Sequence, residues 1–273
     1  MLRRPKLLLA PGAVVLVLGF AIPALVMLFS PPGTSPGEVL ARLWQMLSDP
    51  YDLAIIGRTL FFGLTVTALC IFLGFPIAFL LARSTSRFAG VWLALAIFPL
   101  LLSNVVRTFG WLVILGSNGA VGQLIVWLGL SERGPQLLYT PLAVILGMLQ
   151  LFLPLAIITC YSAIAQVDKN LDDAARGLGA SRTRTLWSVV VPLSLPGVVV
   201  ASTLVFAGAA TAYTTPYLLG GTGQRVLSTQ LFTYSSVTVN WEAASATALI
   251  MTVLVFAVSG LSSALGSRKG KVE

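Results

Sequence analysis

Runs of some twenty apolar residues, separated by short polar stretches, constrain this 273-residue chain more than any other feature. A helix needs about 20 apolar residues to cross ~30 Å of hydrocarbon, and inside it every backbone polar group must be satisfied within the segment. Six such runs are legible: Leu7–Phe29, Thr59–Ala82, Val91–Leu115, Tyr139–Ile164, Val198–Leu219 and Ala243–Leu265. A chain that is 57% hydrophobic and 10% charged belongs in a bilayer rather than in a soluble domain. The expected fold is therefore all-α, a polytopic membrane protein with about six transmembrane helices and the lipid bilayer as its first partner.

The formal charge of +8 raises the question of nucleic acid, and the placement of the charges answers it. Arg3, Arg4 and Lys6 precede the first run, and Arg83 and Arg87 follow the second. Lys169, Arg176, Arg182 and Arg184 lie between the fourth and fifth, and Arg268, Lys269 and Lys271 follow the sixth. Twelve of the seventeen Lys and Arg thus fall on one side, which the positive-inside rule makes the cytoplasm, with both termini there. Membrane orientation accounts for the charge, and no nucleic-acid partner is implied. The first run is longer than a usual signal core and has no Ala-x-Ala site before Ser30, so an uncleaved span is expected.

Pro31-Pro32-Gly33-Thr34-Ser35-Pro36-Gly37 opens the first external loop, with a short amphipathic helix expected over Glu38–Leu47. Asn104 and Arg107 interrupt the third run near its external end. Val121–Leu130 is apolar but too short to cross. The division expected is 1–58, a first helix with an external loop, and 59–273, the core with a cytoplasmic loop at 165–197. No histidine is present, which removes imidazole chemistry and His-ligated metals, and no phosphate-binding G-x-x-x-x-G-K-[ST] occurs. Cys70 and Cys160 sit inside runs without metal-ligand spacing. The nine carboxylates all lie in loops or at span ends, which argues against a carrier coupled to an ion gradient. An integral membrane enzyme would need clustered nucleophiles, histidines or carboxylates at a span end, and only Asp172-Asp173 comes near. No catalytic residue, metal site or cofactor is expected.

The polar stretch between the fourth and fifth runs has its own order. Asp168 is placed to cap a short helix with Asp172 and Asp173 in its first turn. Ala174 and Ala175 keep that helix slim, and Gly179 suits a left-handed turn after it. Ser181 is a natural N-cap for a second helix carrying Leu186, Trp187, Val189 and Val190, which Pro192 and Pro196 are expected to end. The spacing Asp-Ala-Ala, three residues, Gly, nine residues, Val-x-Val-Pro resembles the "EAA" loop of the membrane subunits of bacterial ABC importers. In that pattern Asp173 stands for Glu, Val189 for Ile and Val191 for Leu, while Ala174, Ala175, Gly179 and Pro192 match.

The resemblance runs from about Thr59 onward. Leu102 to Trp111, Tyr139 to Gly147, and the Leu219-Gly220-Gly221 turn look like the permeases of polyamine (spermidine/putrescine) importers, with relatives for opines, aminobutyrate and aminophosphonates. It implies a type I importer permease fold in a bacterial inner membrane. It also implies that the loop docks on an ATPase, and the partners would be a second homologous permease subunit, two ATPase subunits and an extracytoplasmic solute-binding protein.

Polar groups inside spans are costly unless they face protein, water or cargo. Asn104, Arg107, Gln150, Thr211, Tyr213, Thr214 and Thr215 are the pathway candidates, and Tyr213-Thr214-Thr215-Pro216 interrupts the fifth run. The threonines have a second reading, in which each hydroxyl bonds back to its preceding turn. Arg107 either snorkels to the outer interface or orients an outer gate. Trp111, Tyr213 and Tyr217 are placed to supply cation–π contacts to an amine.

Overall fold

The computed structural model describes residue 12 and residues 14–269. Arg3, Arg4, Lys6 and Lys271, and the start of the first span at Leu7, lie outside them. Among the described residues the chain is helical without a strand. Pro50–Arg83, Asn104–Trp127, Pro141–Ala165, Thr183–Thr211 and Trp241–Ser262 are long and apolar enough to cross a membrane, while Val14–Phe29 and Ala89–Leu101 are shorter apolar helices.

Several boundaries differ from the sequence reading, each for a local reason. The helix read as starting at Thr59 starts at Pro50, where Asp49 accepts a bond from the Tyr51 amide at 3.2 Å; it therefore runs across the division after residue 58. The third run is not one helix. Ala89–Ile97 tightens into a 3₁₀ turn over Phe98–Leu101, Leu102 and Ser103 are extended, and a new helix starts at Asn104. Pro99 opens the 3₁₀ turn, and the break precedes Asn104 and Arg107 instead of falling at them. Asn104–Trp127 is itself interrupted between Leu115 and Ala120. Before the second span, Pro36–Ser48 forms a helix with a reciprocal Ser35–Glu38 capping box and buries Val39 and Met46.

The fifth span carries the largest correction. Pro192 and Pro196 do not end a helix, because the chain is helical without a break from Thr183 to Thr211. A π turn over Leu186–Val190, closed by the Val191 amide on the Leu186 carbonyl, puts Pro192 in the first turn of the next segment, where its missing N–H is tolerated. The Ser194 hydroxyl donates to the Val190 carbonyl at 2.7 Å and so supplies a bond near the second proline.

Pro50–Arg83, Pro141–Ala165 and Thr183–Thr211 form the centre, with Phe62, Val66, Cys70, Met148, Ala156 and Val205 buried between them. Cys70 and Cys160 are free thiols in that packing. Small residues set the crossing distances, as expected where lipid supplies no hydrophobic drive between helices. Gly197 faces Ala163 so closely that any side chain on Gly197 would collide with the Ala163 Cβ. Gly197→Leu is expected to cost about 1–3 kcal/mol. A lowered unfolding temperature in detergent, partly restored by adding Ala163→Gly, is the check. Outside this centre, Phe61, Leu64, Phe72, Leu80, Val113 and Phe256 stand exposed, an apolar surface suited to acyl chains.

Candidate functional site

The loop between Pro141–Ala165 and Thr183–Thr211 has the two caps and the left-handed glycine turn that the sequence predicts, though not the helix end at Pro192. The Asp168 carboxylate accepts the Asn170 amide at 2.9 Å and caps the helix Lys169–Gly177. That helix closes with paired bonds, Gly179 N to Arg176 O and Ala180 N to Ala175 O, both 3.0 Å. This is a Schellman closure, and it requires the φ of +86° that Gly179 adopts. Ser181 then accepts the Arg184 amide at 3.3 Å to start the long helix.

Asp173, Ala174, Gly179 and Pro192 are exposed, and Ala175, Val189 and Val191 are partly covered. Two large apolar side chains add to this surface without belonging to the pattern: Leu178 is 91% exposed and Trp187 70%. Their exposure was not legible in the sequence, where Trp187 read as an apolar residue of the second helix.

The loop is tied down by an ion pair that sequence reasoning missed. Arg83 Nε lies 2.7 Å from Asp172 Oδ2, and Arg83 Nη1 donates to the Val167 carbonyl at 3.1 Å. The C-terminal end of the Pro50–Arg83 helix is thereby fastened to the first turn of Lys169–Gly177. The two side chains are 13% and 17% exposed, so the pair is well shielded. Its members read in sequence only as a topology charge and a helix-start acid; no spacing joins positions so far apart.

The second cluster forms around the break in the fifth run. Regular helix stops at Thr211, and Ala212 is extended with ψ 127°. The Ala212 carbonyl, freed by the break, accepts the Ser228 hydroxyl at 2.6 Å. The chain then re-enters as a π turn over Pro216–Gly220. Thr215 is buried, with its hydroxyl 3.3 Å from that of Thr108. A Cβ on Gly147 would come within 2.7 Å of Thr215 Cγ2 and 2.5 Å of Leu219 Cδ1. The Tyr139 amide donates to the Leu219 carbonyl at 2.8 Å, and Gly221, at φ +58°, lies against the Tyr139 ring. The three segments singled out in the sequence, Leu102–Trp111, Tyr139–Gly147 and Leu219–Gly221, are thus one packed unit around the broken helix.

Asn104 and Arg107 lie on the same helix face as Thr108, and the Asn104 carbonyl accepts the Thr108 hydroxyl at 2.9 Å. Gln150 lies one turn beyond Gly147. Thr211 follows the back-bonding alternative, its hydroxyl donating to the Ala207 carbonyl at 2.8 Å. Tyr213 stacks on Tyr217 at 5.1 Å between ring centroids and tilts against Phe232 at 4.5 Å, an aromatic group to which Phe232 is an unforeseen addition. Thr214 is partly buried beside them. The two clusters are far apart: the helix Thr183–Thr211 that joins them spans ~43 Å at 1.5 Å per residue.

Comparison with known proteins agrees with the helix arrangement. Residues 74–271 match the family described as binding-protein-dependent transport system inner membrane component. The spermidine/putrescine transport system permease protein PotB of Escherichia coli (strain K12) is 29% identical over 212 residues, 78% of this chain and 77% of that protein. The molybdenum transport system permease protein ModB of Mycobacterium tuberculosis is 29% identical over 214 residues, 78% of this chain and 79% of that one. Among solved structures, a bacterial ABC transporter involved in the import of the acidic polysaccharide alginate aligns with TM-score 0.74 at 19% identity, covering 96% of this chain and 94% of that one. The MetNI methionine ABC transporter in an inward-facing conformation aligns with TM-score 0.62 at 15% identity, covering 80% and 95%. The structural likenesses establish the type I importer permease fold.

Proposed function

The chain belongs to the binding-protein-dependent transport system inner membrane components, and from that premise we propose that it forms half of a translocation pathway for a small, amine-bearing solute, polyamine-like in chemistry. It is a permease subunit of an ABC importer. The work of ATP hydrolysis falls to a partner, through the loop from Asp168 to Pro192. Two ATPase subunits, a second homologous permease and an extracytoplasmic solute-binding protein complete the assembly.

The observation that carries this reading is the unbroken helix from Thr183 to Thr211. One of its ends is the exposed loop with Asp173, Ala174, Leu178 and Gly179; the other is the break after which Thr215 meets Thr108. A continuous helix conveys displacement along its axis, with the π turn over Leu186–Val190 and Pro196 as the places where it can bend. Closure of the ATPases would push the loop, and the helix would shift the packed unit around Thr215, opening the pathway outward. The Arg83–Asp172 pair keeps the second long helix in step with that movement. Solute choice rests mainly with the binding protein; the aromatic group Tyr213–Tyr217–Phe232 offers an ammonium ion a cation–π surface on the way through.

The amine assignment leans on the PotB relatives and on those aromatic rings, and the type I fold itself carries cargo of very different charge. The test uses the complete importer with its binding protein. ATP-dependent uptake of labelled putrescine is expected. Single cysteines at Gly33 and Gly221 are expected to react with an impermeant reagent in intact cells, and one at Ser181 is not. Labelling at Ser181, or uptake of no amine by a complex that hydrolyses ATP, refutes the corresponding half of the reading.

A further inference from the structure

The polar face of the helix Asn104–Leu115 holds a cation that this chain does not satisfy. Arg107 Nε and Nη1 are both buried and have no hydrogen-bond partner. Its neighbours Val105, Val106 and Phe109 are about half exposed or more, at 46%, 64% and 53%, whereas Arg107 itself is only partly exposed. Two of the three guanidinium nitrogens are thus covered without a partner, while part of the residue stays accessible to an incoming group.

The depth of the site decides what the charge costs. Thr108, next in the chain, touches Thr215, which packs on Gly147. Gly147 lies six residues inside the helix that starts at Pro141, or ~9 Å from that end. An unpaired charge at such a level is expensive.

The acids among the described residues are placed elsewhere, Glu242 in the first turn of the helix Trp241–Lys269. Asp172 pairs with Arg83, and Asp52 accepts the Gln230 amide at 2.7 Å. Glu38, Asp49 and Asp168 cap helix starts. Asp173 belongs to the loop at the other end, and Glu132 lines a surface cleft with Arg133. Among the described residues, no ion pair involves Arg107.

Resting on the importer reading above, we propose that Arg107 is the binding group for an oxyanion, a carboxylate or phosphonate, at the level of the Thr108–Thr215 contact. A guanidinium is always charged, and its planar array of donors fits a two-oxygen anion. The oxyanion arrives either on the cargo, which would then be a zwitterion with its amine toward Tyr213, or as an acidic side chain of the second permease.

Putrescine and 4-aminobutyrate differ by one terminal group, ammonium against carboxylate, and so separate these sources. Uptake of each is measured with the complete importer carrying Arg107→Gln and Arg107→Lys, with partner-permease recovery and membrane yield followed in parallel. If the cargo supplies the oxyanion, wild type imports 4-aminobutyrate, and Arg107→Gln lowers that uptake roughly ten- to hundredfold with assembly intact and Arg107→Lys intermediate. If the partner supplies it, Arg107→Gln lowers recovery of the second permease whichever solute is offered. Wild-type uptake and assembly in Arg107→Gln overturn the proposal. So does an equal loss for both solutes with the partner retained, or a wild-type importer taking putrescine alone whose assembly ignores the substitution. An importer that carries no amine at all refutes the parent reading instead, leaving the partner-recovery arm to judge Arg107.

Discussion

Gly179→Val is expected to abolish ATP-driven uptake while the subunit still inserts at wild-type yield. A Cβ at this position meets nothing within 4 Å, so crowding plays no part. The cost is in the backbone. Gly179 holds φ +86°, where an L-residue loses roughly 1–2 kcal/mol and a β-branched one more. That penalty is too small and too local to unfold a bundle of long helices. It is large enough to open the Schellman closure made by the Gly179 and Ala180 amides, and with it the fixed angle between Lys169–Gly177 and the long helix. The control is Gly179→Asn, which tolerates the left-handed region and should retain most uptake. Normal transport by the valine variant, per inserted subunit, would remove the turn from the coupling path.

The second large effect is expected at the ion pair. Asp172→Arg leaves two guanidinium groups facing each other where each original side chain is less than a fifth exposed. Breaking a buried pair from one side costs about 3–5 kcal/mol, and this one should fall at roughly 2–4 because some solvent reaches it. The loop would detach from the end of Pro50–Arg83. Uptake should drop more than tenfold while the ATPases continue to turn over, a separation that measures coupling directly. Combining Asp172→Arg with Arg83→Asp should recover a substantial part of the loss. A double variant no better than the single one would mean that the pair only marks proximity.

Much of the loop is legible in the sequence because its determinants are local. Asp168 and Ser181 cap the helices that follow them, and Gly179 takes the left-handed turn, since each choice depends on a few adjacent backbone groups. The prolines mislead for the same reason. Locally, Pro192 and Pro196 read as stops; the π turn over Leu186–Val190 and the hydroxyl of Ser194 absorb both, and neither is visible as a propensity. The third run misleads in the opposite sense, since its even hydrophobicity hides the break at Leu102 and Ser103. Hydropathy registers what a segment is soluble in, and a bent helix dissolves in lipid as well as a straight one.

The order of residues alone dictates the solvent and the class of the molecule. The apolar runs demand a bilayer, helices are the only open structure that satisfies backbone groups there, and the capped loop follows from short-range hydrogen bonding. Packing in three dimensions sets the pairings between positions distant in the chain. Arg83 meets Asp172, Thr108 meets Thr215, and Gly147 lets the broken segment approach. It also makes one continuous helix link the loop to the break, and covers two Arg107 nitrogens without giving them a partner. Those facts arise from how helices cross, and a crossing is fixed by side-chain shape on two surfaces at once, which no single stretch of sequence contains.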